Sequence, residues 1–200
     1  MVELMGLLTK GFLMNRKEFL EAACAWGVCS CAVFSQSAQA EEQADATQAE
    51  LGNLKWKLDF VTQRFAKLVA LMNETLDEST LAGLFESMGR ECAKGFKQEF
   101  EPFKGDPEGF LKSIQQKWVQ SARWDESTGT VRVVDKAKHC TCAFVNEKIM
   151  SSQFCHCSVG WQKEAYETVL GRPVDVEIEE SILKGHKRCV FCIKLQDEKA

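Results

Sequence analysis

Hydrophobic periodicity changes after Trp124, from helical spacing to strand-like stretches with one helix among them, and that change limits the fold more than any other feature. Leu51, Leu54, Leu58, Val61, Phe65, Leu68 and Leu71 recur at steps of three and four residues, which predicts a helix to about Asn73. Asp77 or Ser79 can cap a second helix, with Leu81, Leu84, Phe85, Met88 and Cys92 inward and Gly95 and the Glu101-Pro102 step closing it. Asp106-Pro107-Glu108 opens a third, since proline suits a first turn whose N–H has no helical acceptor. Phe110, Leu111, Ile114 and Trp118 form its apolar stripe. After Trp124 the period shortens. Ser127-Thr128-Gly129 reads as a turn, Val131-Arg132-Val133 as a strand, and Cys140 to Val145 as its hairpin partner. Ser158 to Leu170 returns to helical spacing, with Val159, Tyr166, Val169 and Leu170 inward, and ends at Gly171 and Pro173. Val174, Val176 and Ile178 alternate with acidic residues, the pattern of a strand buried on one face. Gly185 marks a turn before a last strand, Arg188 to Leu195. Residues 49–200 therefore predict a single α+β domain, with N-terminal helices packed on an antiparallel sheet that has one inserted helix.

Seven of the ten cysteines fall within that domain: Cys92, the pairs Cys140-Thr-Cys142 and Cys155-His-Cys157, and Cys189-Val-Phe-Cys192. Such short spacings suit soft-metal ligation by thiolates, or disulfide and redox chemistry, better than independent core packing. An odd number of thiols cannot all pair within one chain.

The other three cysteines lie in a segment with the marks of an export signal. Arg16 and Lys17 precede a short apolar run, Ala22 to Phe34, and Ala38-Gln39-Ala40 is an A-x-A cleavage site. The run is too short to span a bilayer as a helix. Asn15-Arg16-Lys17-Glu18-Phe19-Leu20 resembles a twin-arginine signal with lysine as the second basic residue. Residues 1–40 are thus an expected signal peptide, 41–48 an acidic flexible leader, and the mature chain extracytoplasmic, periplasmic or secreted. A net charge of −4 excludes the basic footprint of a nucleic-acid-binding domain, and no transmembrane segment is expected in the mature chain.

Phe154-Cys155-His156-Cys157, Gly160-Trp161, Gly171-Arg172-Pro173-Val174, Glu180-Ser181-Ile182-Leu183, Gly185 and Cys189-Val190-Phe191 resemble the 4-vinyl reductase-type ligand-binding domain. Its relative, the L-2-amino-thiazoline-4-carboxylic acid hydrolase-like family, is matched as well, and Gly89-Arg90-Glu91-Cys92 suits that branch. The resemblance spans roughly residues 80–195. It implies a small apolar or heterocyclic ligand held between helices and sheet. It also implies, for some members, a zinc site whose positions fall here on Cys155, Ile178, Ser181 and Cys189. Isoleucine cannot ligate and a serine hydroxyl is a poor zinc ligand beside thiolates, so the set is not inherited unchanged. Cys157, two residues from Cys155, and Cys140 and Cys142, from a neighbouring strand, are the expected substitutes beside Cys155 and Cys189, and zinc or another thiophilic metal is the expected cofactor. Cys155 and Cys157 enter a helix, where the N-terminal dipole favours thiolate. Cys192 and Cys92 are expected in the core.

His156, between two inward thiols, is expected to point outward; His186 sits in a turn, and His139 is the better ligand or acid-base residue. Trp118 and Trp161 are expected to line the pocket, with Arg90 as a carboxylate partner. Three functions compete. The first is an exported small-molecule-binding domain with a cysteine-rich metal site. The second is a hydrolase acting on a C–N bond of a thiazoline-carboxylate-like cyclic amidine, attacked by metal-bound water or a Cys155 or Cys157 thiolate. The third is a thiol redox protein using Cys189 and Cys192. No Ser-His-Asp spacing, phosphate-binding glycine loop or HExxH motif is present, so no catalytic residue is assigned.

Overall fold

The computed structural model of the chain describes residues 31–125 and 127–196. Most of the expected signal peptide, residues 1–30, lies outside them. The chain divides into two units, Met1–Trp56 and Lys57–Ala200. In the first, the described residues 31–56 are helical throughout, the expected leader 41–48 included. They belong to α1, Cys31–Thr75.

The second unit continues with α2 (Glu78–Lys94), α3 (Pro107–Lys117), β1 (Val119–Asp125), β2 (Thr130–Asp135), α4 (His156–Leu170), β3 (Val174–Glu180) and β4 (Val190–Leu195). The expected α+β architecture is present: helices pack on a four-stranded antiparallel sheet of order β1-β2-β4-β3. Asp77 caps α2 by accepting from the Thr80 N–H, and Asp106 caps α3 through the Gly109 N–H, with Pro107 in the first turn. The left-handed Gly171 (φ 70°) ends α4 and Gly185 (φ 88°) makes the turn before β4.

Side chains line up across the inner face of the sheet. Ala122 pairs with Val133, Val133 with Phe191, and Phe191 with Ile178, giving one apolar row across four strands. Phe100, Phe110, Ile114, Tyr166 and Val169 cover these rows. A second apolar cluster joins Ala66 and Val69 of α1, Leu81 and Phe85 of α2, Met150 and Phe154. Phe154 there meets both Phe65 and Phe85 edge-on at 5.2 Å.

Four expectations need correction. Residues 119–125 form β1 although the helical pattern seemed to run on to Trp124, because a register shift between Val119 and Ser121 breaks the alternation that marks a strand. Cys140 to Val145 is not a strand: both edges of β2 are already taken, by β1 and β4, so the segment folds as turns. On α1 the residues buried in the second unit are Thr62, Ala66 and Val69, while Leu58, Val61, Leu68 and Leu71 are exposed. On α2, Leu84 and Cys92 face solvent and the inward stripe is Leu81, Phe85, Gly89 and Ala93.

That last substitution sets the tightest contact in the fold. A Cβ on Gly89 would lie 1.8 Å from the Cys157 carbonyl oxygen, and one on Gly160 would lie 1.9 Å from the Glu86 carbonyl oxygen. The backbones of α2 and α4 touch, which only glycine permits at both places. Ion pairs flank the crossing. Arg90 reaches Glu167 through two bonds, at 2.7 and 3.0 Å, and Glu164 at 3.2 Å, while Lys163 meets Glu86 at 2.7 Å. Gly89→Ala and Gly160→Ala should each force the helices apart and cost about 3 kcal/mol, read as a fall in Tm. Gly83→Ala on the same helix, where a Cβ meets nothing within 4 Å, should leave Tm unchanged or raise it. Equal Tm values for all three variants would contradict the close crossing.

Candidate functional site

The α2–α4 crossing leaves a space between α2, the first turn of α4 and strand β3. This cavity, about 330 Å³, has Val159 of α4 with Val176 and Ile178 of β3 as its apolar wall. Glu78 and Glu86 of α2, Gln153, His156 and Lys184 supply polar groups. Several of these are already engaged: Glu86 with Lys163 at 2.7 Å, and Glu78 as acceptor from the Gln153 side-chain amide at 3.3 Å. His156 differs, because its Nδ1 is buried without a hydrogen-bond partner. A buried polar atom left in that state costs free energy that a suitable bound group would recover.

His156 was expected to point outward. It is half-buried instead, because α4 begins at this residue and its first turn lies against α2 at Gly89. His139 and His186 are exposed. Trp118 and Trp161 lie edge to face at 6.1 Å and pack against the main core, and neither they nor Arg90, held by Glu164 and Glu167, line this cavity. Of the lining residues, Val159 and Val176 carried only the signal of inward positions, and Ile178 stood out only as a lost metal position.

Cys155 and Cys157 flank His156 in the chain, but no thiol is among the residues that line the cavity. The Cys155 sulfur lies 3.1 Å from the Ser181 hydroxyl, so two of the positions aligned with the family zinc site do meet. Burial raises the Cys155 and Cys189 thiols, and Cys189 also feels Asp135 and Cys155. Burial likewise pushes Cys157 up to about 12, and Cys142, Cys92, Cys140 and Cys155 add repulsion in the same direction. Cys140 is pushed up to about 11, by burial first and then by Cys142, Cys189 and Cys155. Burial is the largest influence on both thiols, so the lowering expected at Cys155 and Cys157 gives way to a rise. Both thiols stay protonated at neutral pH, which weakens them as nucleophiles for a hydrolase.

The four-ligand zinc site implied by the resemblance does not fit this chain, since Ile178 is part of the apolar wall and Ser181 holds a hydroxyl against Cys155. Among the described residues no three His, Cys, Asp or Glu side chains are grouped to hold a metal ion. Cys92 is exposed and Cys192 half-buried, so neither is the core residue expected. Cys189 packs against the main core, whereas Cys192 is in register with the exposed Arg132 and Glu177, on the other face. A Cys189–Cys192 redox pair is poorly served by that arrangement.

A family model described as a family of unknown function (DUF6144) matches residues 110–200. No curated protein matches the chain. Among solved structures, the chain is similar to trafficking protein particle complex subunit 3 from Naegleria fowleri covalently bound to palmitic acid. Identity is 15%, coverage 72% of this chain and 97% of that one, and the TM-score 0.47. It is similar to the phenol-responsive sensory domain of the transcription activator PoxR with phenol, at 17% identity, coverage of 67% and 76%, and a TM-score of 0.40. It is also similar to a vinyl-4-reductase family protein from Methanocaldococcus jannaschii, at 12% identity, coverage of 65% and 75%, and a TM-score of 0.30. At these TM-scores none of the three assigns a ligand to this chain.

Proposed function

We propose that this chain is a small-molecule-binding domain whose ligand occupies the cavity between α2, α4 and β3. The observation that carries the reading is a 330 Å³ space with one apolar wall and a buried, unpartnered His156 Nδ1. Its volume suits a compact ligand of one or two rings. Val159, Val176 and Ile178 would cover its apolar face, and one polar substituent would bond to His156. The neutral imidazole can donate or accept at Nδ1 according to tautomer, so the ligand group can be a hydroxyl, an amide or a ring nitrogen. Titration calorimetry against a panel of phenols and small heterocycles tests this. A ligand that binds the wild type should lose about tenfold in affinity to His156→Ala and bind Ile178→Trp not at all. Binding that survives Ile178→Trp unchanged would place the ligand elsewhere.

A second reading is soft-metal capture by the neighbouring thiols, favoured by the Cys155–Ser181 contact and the electrostatic proximity of Cys140, Cys142, Cys157 and Cys189. Ligation would require the turn-rich segment 136–151 to bring Cys140 or Cys142 toward Cys155. Because burial raises these thiol pKa values, each ligand must lose a proton on binding, so affinity should climb as pH rises from 6.5 to 8.5, by up to about tenfold per unit for each proton released. Zinc titration of chelator-free protein, with Cys155→Ser beside wild type, reads this directly. Uptake that is indifferent to pH or to Cys155→Ser would remove the thiols as ligands.

Export is part of the proposal, resting on Arg16-Lys17, the apolar run to Phe34 and Ala38-Gln39-Ala40. Protein recovered from an extracytoplasmic fraction should begin at Glu41. An intact N-terminus there would end that part of the reading.

A further inference from the structure

The apolar stripe of α1 that is uncovered from Leu51 to Val61 belongs to a longer repeat, whose Phe65 and Met72 pack on the second apolar cluster. Positions 51, 54, 58, 61, 65, 68 and 72 carry Leu, Leu, Leu, Val, Phe, Leu and Met, at steps that alternate strictly between three and four. That is the a/d pattern of a left-handed coiled coil, with Leu51, Leu58, Phe65 and Met72 at a and Leu54, Val61 and Leu68 at d. Every residue from Thr47 to Val61 is exposed. Leu51, Leu54, Leu58 and Val61 stand at 55, 54, 53 and 48% exposure, and from Thr47 onward the first buried position is Thr62. An apolar stripe of this regularity, open to water over two heptads, is not held helical by propensity alone.

We infer that α1 pairs with α1 of a second copy of this chain, as a parallel two-stranded coil over residues 47–61. Two arguments select a second copy. Each a and d layer is self-complementary, so an identical helix in register supplies the matching leucine at every level. The flanks then match as well: Glu50 is a g position and Lys55 the following e position, the two sites that face each other across a parallel pair. Symmetry makes this contact twice, and a partner satisfies it only by carrying a lysine and a glutamate at the same two places. Both residues are exposed, as rim residues of such a seam should be.

Sedimentation equilibrium of the purified full-length chain should give twice the chain mass at micromolar concentration. Leu54→Glu/Leu58→Glu should give the monomer mass, because charges enter two adjacent layers. Lys55→Glu alone should raise the dimer dissociation constant about tenfold, since two attractive contacts become repulsive. Adding Glu50→Lys to it should restore the wild-type constant. The charge variants alter only exposed positions, so they read the interface even if the leucine variant unfolds. A monomeric wild type, or a leucine variant that stays folded and dimeric, would overturn the inference. A charge swap that fails to restore the dimer would overturn it too, by removing the parallel register.

Discussion

Two carbonyl oxygens decide where everything else in the site can stand. The Glu86 oxygen occupies the place of a Cβ on Gly160, and the Cys157 oxygen the place of one on Gly89. Helices normally lie 8–10 Å apart, with side chains between their axes. Here the side chains are missing from the contact and the backbones meet. That brings the first turn of α4 onto the middle of α2, so His156 and Val159 share a cavity with Glu78 and Glu86. The partly buried pairs Arg90–Glu167 and Lys163–Glu86 hold the helices from sliding about the glycine contact. Each ion pair contributes about 1 kcal/mol or less, and what it adds is register.

The same close packing explains why the cysteines behave against expectation. A thiol at a helix start gains from the partial positive charge there, an effect of at most about 2 kcal/mol even in partly buried sites. Moving it away from water penalises the thiolate, and at Cys157 neighbouring thiols add repulsion rather than relief. Cys157, on the α4 turn that meets Gly89, is pushed up to about 12. No lysine or arginine is among the causes that act on it, whereas Lys184 does lower Cys155. A crowd of cysteines thus becomes a weakly acidic, protonated group.

Local signals in the sequence were enough for most elements, because caps and left-handed glycines act within a few residues: Asp77, Asp106, Gly171 and Gly185 all stand where they were read. The alternation of Val174, Val176 and Ile178 with acids likewise located β3, and the α+β class followed from the order of helical and strand-like spacings. What could not be read was long-range. Whether β2 has room for a partner depends on β4, sixty residues away, so Cys140–Val145 looked like a strand with nothing local to refute it. Gly89 and Gly160 stood out as parts of a family motif, yet a glycine in a helix reads as a cost of about 1 kcal/mol until its opposite backbone is known. His156 was misplaced for the same reason: its burial comes from the α2–α4 contact, not from its neighbours in the chain.

The two residues that break the family metal pattern have different consequences once they are placed. Ile178 stands on β3, in register with Phe191, and its side chain joins Val159 and Val176 along the cavity. A carboxylate at that position would put a charge against those valines and would need a cation or a donor to remain there. Isoleucine removes that requirement and extends the apolar wall. Ser181 is fully buried, 1% exposed, and its hydroxyl meets the Cys155 sulfur. A hydroxyl can donate to sulfur or accept from it, so it satisfies a neutral thiol in a way a second thiolate could not. Burial raises the Cys155 pKa while the Ser181 bond and Lys184 lower it, so residue 181 moderates the shift, and Ile178 extends the apolar lining. The cavity keeps its apolar wall on one side only, with Glu78, Glu86, Glu177 and Lys184 among its polar lining and His156 Nδ1 buried without a partner.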